Sequence, residues 1–217
     1  MRTFGFPEFL FILEAAKWTL ALSAIAFVGG AILGLAIALM RTSQSRWARG
    51  VSTTFIQIFQ GTPLLLQLFL VFFGAPVLGL DINPWVAAGV ALILNSAAFL
   101  GEIWRGCIEA IPRGQWEAAE ALSLKYTSRM RDVVLPQAFK IALAPTVGYV
   151  VQIIKGTSLA AIIGFVEVTR AGQIVNNATF QPLIVFSVVA AIYFAICWPL
   201  SLLAARMERK RARALAR

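Results

Sequence analysis

Apolar runs long enough to cross a bilayer alternate along this chain with short polar intervals. Residues 18–40 carry no charged side chain over 23 positions, and about 20 apolar residues in a helix suffice to span a hydrocarbon core of roughly 30 Å. A second uncharged run covers 30 positions, 51–80, but Gln57, Gln60 and Gln67 recur along it and Gly61-Thr62-Pro63 breaks it. Further spans are expected over 85–101 and 182–205, the latter with Pro199 as a kink. Between them, 141–154 holds only 14 uncharged residues, about 21 Å of helix, too short to cross alone. Lys155-Gly156-Thr157-Ser158 follows, then a new apolar run over 159–166. This predicts a discontinuous element: a helix, a break at Gly156, and a second helix capped by Thr157 or Ser158. Residues 1–16, with Glu8 and Glu14 among Phe and Leu, read as a short interfacial helix. The pattern is that of an all-α integral membrane protein with five transmembrane helices, a single domain over 1–217.

The longest polar interval, 112–140, has its own internal order. Pro112 and Gly114 break the preceding helix, and 115–122 reads as a short helix with Glu117 in its first turn, where the dipole favours an anion. Ala118, Ala119 and Ala121 leave that helix almost without bulk, so its backbone can approach another surface as a plug enters a socket. Thr127 or Ser128 can cap a second helix, with Asp132 near its start and Pro136 interrupting it. A solvated connector that binds nothing is the plainer alternative on composition alone.

Composition narrows the class. Of 217 residues 59% are hydrophobic and 13% charged, with a mean hydropathy of +0.80, too apolar for a soluble globule. The net charge of +9 lies between and after the apolar runs, which fits a positive-inside bias rather than a nucleic-acid partner. There is no His, which excludes imidazole catalysis and His-ligated metals. Cys107 and Cys197 sit on separate helices and read as packing, not as a disulfide or metal site. The ten acids are scattered, so the clustered carboxylates of a metal-dependent membrane enzyme are missing. Nothing at the N-terminus has the form of a cleaved signal peptide. If the first span runs inward, the intervals 41–49 and 105–140 and the tail 206–217 hold 15 of the 19 basic residues on one side. That places the N-terminus outside and the C-terminus in the cytoplasm. Gly30 and Gly34 form a close-packing pair, against a helix of the same chain or of a second subunit.

The phrase Glu117-Ala118-Ala119, then Leu122, then Val134-Leu135-Pro136-Gln137-Ala138 resembles the signature loop of ABC importer permeases. Ser123 stands where that family usually has Gly, and Met130 where it usually has Phe. If position 123 needs positive φ, Ser costs modestly there. Gln60-Gly61-Thr62-Pro63-Leu64-Leu65-Leu66-Gln67 is similar to a phrase in permeases for polar amino acids, which usually begin it with Arg. Ala98-Phe99-Leu100-Gly101-Glu102-Ile103-Trp104-Arg105-Gly106 and Ala110-Ile111-Pro112-Arg113-Gly114-Gln115 look like the same branch, the histidine, glutamine, arginine and opine type.

The resemblance implies a type I importer permease in the bacterial inner membrane. Its implied partners are a cytoplasmic ABC ATPase dimer, a second permease subunit (identical or homologous), an extracytoplasmic amino acid-binding protein and membrane lipid. ATP and Mg would sit on the ATPase, with no cofactor, metal or nucleotide site in this chain. The coupling residues would be Gln115, Glu117, Ala118, Ala119, Leu122 and Ser123. A channel or secondary transporter working without an ATPase is the alternative, and it gives no reason for the 112–140 loop.

A solute path is expected at the break. A helix starting near 159 would point its positive end there, favouring a carboxylate. Thr157 and Ser158 would add donors, and Gln60 and Gln67 can face them. Gly156 offers no charge, which leans away from a dedicated arginine or lysine carrier; as a hinge alone it would leave selection to the binding protein. Glu102 and Arg105, one turn apart, are expected to pair structurally.

Overall fold

The computed structural model describes residues 3–215, and among these the chain is wholly helical. The order is α1 (Phe6–Thr42), α2 (Arg46–Gly61), α3 (Leu64–Val77), α4 (Pro84–Glu109), α5 (Arg113–Ala121), the single turn α6 (Tyr126–Ser128), a π-helical turn (Arg129–Val134), α7 (Leu135–Gly156), a 3₁₀ segment (Thr157–Ile163), α8 (Val168–Thr179) and α9 (Pro182–Leu215). Four helical stretches are long and apolar enough to cross a membrane, and the pair α2–α3, bent by 101°, brings the number to five if it is counted as one broken span.

The frame is α1 against α4, and small residues set its closeness. A Cβ on Gly30 would meet Ser96 Cβ at 2.5 Å, and one on Gly34 would meet the Ala97 carbonyl and Leu100 Cβ at 3.1 Å. From the other side, a Cβ on Gly101 would meet Ile37 at 2.8 Å. The glycine pair therefore packs within the chain. Around this seam Leu22, Ala26, Leu68, Ala88, Leu92, Ile153 and Phe165 form the largest core cluster.

The elbow between α2 and α3 follows from Gly61-Thr62-Pro63. Pro63 biases the residue before it away from the α region, and Thr62 is extended at φ −116°, ψ 140°. Pro136 does not interrupt its helix as expected. A proline at that position has no N–H and crowds the carbonyl four residues back. The preceding turn widens to π geometry over Arg129–Val134, and the chain runs helically from Tyr126 to Ile163. No side chain caps α6, whose N-cap is Lys125 rather than Thr127 or Ser128.

Two terminal expectations also change. The 1–16 interfacial helix is no separate element: α1 runs unbroken past Lys17, with Ile12 and Ala15 buried against α8 and α9 residues. The basic tail is no separate element either, because α9 continues through Leu215 with Pro199 inside it. Residues 1, 2, 216 and 217, including Arg2 and Arg217, lie outside the described residues.

The basic intervals gather at one end. Tyr126 OH donates to the Thr42 carbonyl at 2.9 Å, and Arg211 Nη1 to the Ile141 carbonyl at 3.4 Å. An aromatic group lies elsewhere, where Trp18 meets Trp85 edge-on at 5.7 Å and Trp85 meets Phe165 at 4.8 Å.

Candidate functional site

Helix α5 is held from beneath and open above. Ile108, Ile111, Met130, Val134 and Ala138 form a small core, against which Trp116 and Tyr126 pack. Met130 thus fills an apolar site. Gln115, Glu117, Ala118, Leu122 and Ser123 are exposed, and Leu122 is 75% exposed. Ala119 is different: at 3% exposure it belongs to the chain's own packing, so it is not part of the open face. The helix starts at Arg113, with Pro112 as N-cap, which moves Glu117 out of the first turn.

Its far end is a Schellman cap. Ser123 N donates to the Glu120 carbonyl at 2.8 Å and Leu124 N to the Ala119 carbonyl at 3.1 Å. This brings the residue after the C-cap into the left-handed region, and Ser123 has φ +55°. Gln137 Nε2 reaches Gln115 Oε1 at 3.2 Å and the Val133 carbonyl at 2.8 Å, tying the start of α5 to α7.

The elbow holds the second group. Gln67 is buried and its Nε2 lies 2.8 Å from the Phe59 carbonyl, 3.0 Å from the Thr62 carbonyl and 2.9 Å from Thr62 Oγ1. Its Oε1 accepts from Asn95 Nδ2 at 3.1 Å, and Tyr149 OH lies 3.5 Å from Asn95 Oδ1. Gln67 therefore satisfies the backbone carbonyls freed by the break. Gln60 is exposed and donates to the Ala98 carbonyl at 3.3 Å.

The expected break at Gly156 is not there. Gly156 is right-handed helical, and the chain tightens into 3₁₀ turns that end at Gly164, φ +89°. Thr157 Oγ1 donates back to the Ile154 carbonyl at 2.7 Å and Ser158 Oγ to the Lys155 carbonyl at 2.6 Å. Neither hydroxyl caps a following helix, and no helix N-terminus opens at 159, so the geometry for a carboxylate is lacking. A Cβ on Gly156 would meet Leu64 Cδ2 at 3.2 Å, so this segment abuts the start of α3. No hydrogen bond joins Gln60 or Gln67 to Thr157 or Ser158 among the described residues.

Two groups escaped the sequence reading. Asn95 is the one amide in an otherwise apolar stretch of α4, a signal that was visible. Glu167 is fully buried, N-capping α8 through Arg170 N at 2.9 Å. It also accepts from Tyr193 OH at 2.5 Å and Thr19 Oγ1 at 3.4 Å. A carboxylate so placed joins α1, α8 and α9, and no spacing in the sequence announces it. The expected pair is present: Arg105 Nε donates to Glu102 Oε2 at 2.9 Å, and Arg105 also pairs with Glu109.

Residues 30–213 match the family model described as binding-protein-dependent transport system inner membrane component. A probable amino-acid ABC transporter permease of Bacillus subtilis, YckA, is 35% identical, covering 88% of this chain and 84% of that protein. The glutamine transport system permease GlnP of Escherichia coli is 36% identical over 94% of each chain. The crystal structure of an amino acid ABC transporter with histidines superposes with a TM-score of 0.88 at 32% identity, over 96% of this chain and 100% of that one.

Proposed function

The chain belongs to the binding-protein-dependent transport system inner membrane components, and on that premise we propose that it is the subunit through which an ATP-driven importer carries polar amino acids into the cell. The observation that carries the coupled mechanism is α5: a nine-residue helix, anchored by Trp116 and Ala119 and presenting Glu117, Ala118 and Leu122 outward. A groove on a cytoplasmic ATPase can grip such a face. Gln115 and Ser123 bound it at either end. ATP and Mg belong to two partner ATPases, and this chain contributes no catalysis of its own. A second permease, identical or homologous, completes the enclosure, and an extracytoplasmic binding protein delivers the solute.

Orientation follows from the gathering of basic residues at the α5 end, which the positive-inside bias puts in the cytoplasm. The solute path runs beside the α2–α3 elbow. There Gln60 is the exposed amide, Gln67 is a brace, and Gly156 and Ser158 flank the path without offering donors, while Thr157 is buried behind them. Selection among amino acids then rests mainly on the binding protein.

The test is reconstitution with the ATPase and binding protein in vesicles, following accumulation of glutamine, histidine and arginine. Accumulation is expected only with ATP inside the compartment that holds the ATPase. Solute flux at the same rate without ATP would establish the channel reading instead.

A further inference from the structure

We propose that the last turns of α9 bind the headgroups of anionic phospholipids, an inference that rests on the membrane-permease reading above. The helix has 34 residues, about 51 Å at 1.5 Å per residue, against a hydrocarbon core of roughly 30 Å. Its final third therefore stands at and beyond the headgroup layer. Arg206, Arg209, Lys210 and Arg213 are all exposed there. Their spacing of i, i+3, i+4 and i+7 puts them on one face.

The rotation of that face is fixed by packing. Ala204 is buried, and the half-buried Arg211 turns inward to the Ile141 carbonyl. Glu208, the single acid in 206–217, lies about 160° around the helix from Arg206 and leaves the strip purely cationic.

What lies above the strip identifies the occupant. Residues seven or eleven apart on a helix nearly superpose in projection. Leu203, 47% exposed, stands two turns from Lys210, and Trp198, 52% exposed, stands three turns from Arg209. The exposed apolar face of α9 thus continues directly into the cationic strip. A lipid lying along it would place its acyl chains on Trp198 and Leu203 and its phosphate among the four cations. An acidic protein surface needs no such apolar continuation. Juxtamembrane cations attract an anionic leaflet additively and within a Debye length, so the contact is salt-sensitive.

The assembled importer is taken from bilayers of mixed phosphatidylglycerol and phosphatidylcholine, and the lipids it retains are counted by native mass spectrometry. The wild type should retain phosphatidylglycerol preferentially, and raised salt should erase the preference. Arg206→Gln with Arg209→Gln, Lys210→Gln and Arg213→Gln should lower that retention by about threefold or more. Replacing the three arginines by Lys should preserve it. Wild-type selectivity unmoved by salt overturns the proposal without any variant. So does wild-type retention in the four-Gln chain, or loss of the ATPase subunit from it, which would make the strip a protein-docking site. ATP-driven uptake by the wild type, scored separately, tests the permease reading alone.

Discussion

The amide of Leu124 donates to the carbonyl of Ala119 at 3.1 Å, closing α5 over a serine, Ser123, held at φ +55°. A glycine adopts that conformation without the Cβ penalty. Ser123→Gly should stabilise this helix end by about 0.5–1 kcal/mol, and Ser123→Val should weaken it. Amide exchange at Leu122 and Leu124 reads the change: slower in the first variant, faster in the second.

Because Ala119 is buried and Ala118 is exposed, a bulky substitution means different things at the two positions. Ala118→Trp should leave the permease folded and cut solute-stimulated ATP hydrolysis in the assembled complex about tenfold or more. Ala119→Trp should lower the yield of folded chain, since overpacking a filled site costs about 1–3 kcal/mol. Normal stimulation in Ala118→Trp removes this face from the ATPase contact.

Gln67→Leu strips the Thr62 carbonyl of its buried donor and leaves the Phe59 carbonyl only Asn95 Nδ2 at 3.5 Å. The expected loss is about 1–3 kcal/mol, read as a lower thermal midpoint of the purified complex. Asn95→Leu should cost less. The two substitutions together should cost less than their sum, because they share the hydrogen bond between Asn95 and Gln67.

Glu167→Ala removes the acceptor of both Tyr193 OH and the Arg170 amide, leaving Tyr193 OH with Thr169 Oγ1 at 3.3 Å. It should reduce the thermal midpoint more than Glu167→Gln, which keeps an acceptor oxygen for the amide. Equal effects of the two would show that the packing around residue 167, not its acceptors, holds α1, α8 and α9 together.

The sequence reading succeeded where a residue type has one mechanical meaning. Gly61-Thr62-Pro63 can hardly be anything but a break, and the elbow is there. The Gly-to-Ser departure at a helix end matters only if the position needs positive φ, and Ser123 has φ +55°. It failed where an alternative backbone form absorbs the problem. Pro136 signals an interruption in the sequence, but a π turn makes room for the ring. Gly156 signals a break in the sequence, but a 3₁₀ segment carries the chain onward and turns the Thr157 and Ser158 hydroxyls back on the helix they follow. Charge alone likewise suggested a separate tail, where α9 simply continues.

The connectors of α5 are short on both sides, three residues from α4 and four from α6, so a displacement of α5 would be passed to two arms. One arm is α4, clamped to α1 where Gly30, Gly34 and Gly101 leave no room for a Cβ against Ser96, Leu100 and Ile37; a seam so filled resists compression. The other arm begins in the π turn, a form that occurs mostly as a single turn inside an α-helix, frequently at functional sites. A push delivered at Glu117 and Ala118 would therefore be felt along both arms. Through α4 it would reach the α1 seam, and through α7 the contact between Tyr149 and Asn95 beside the elbow.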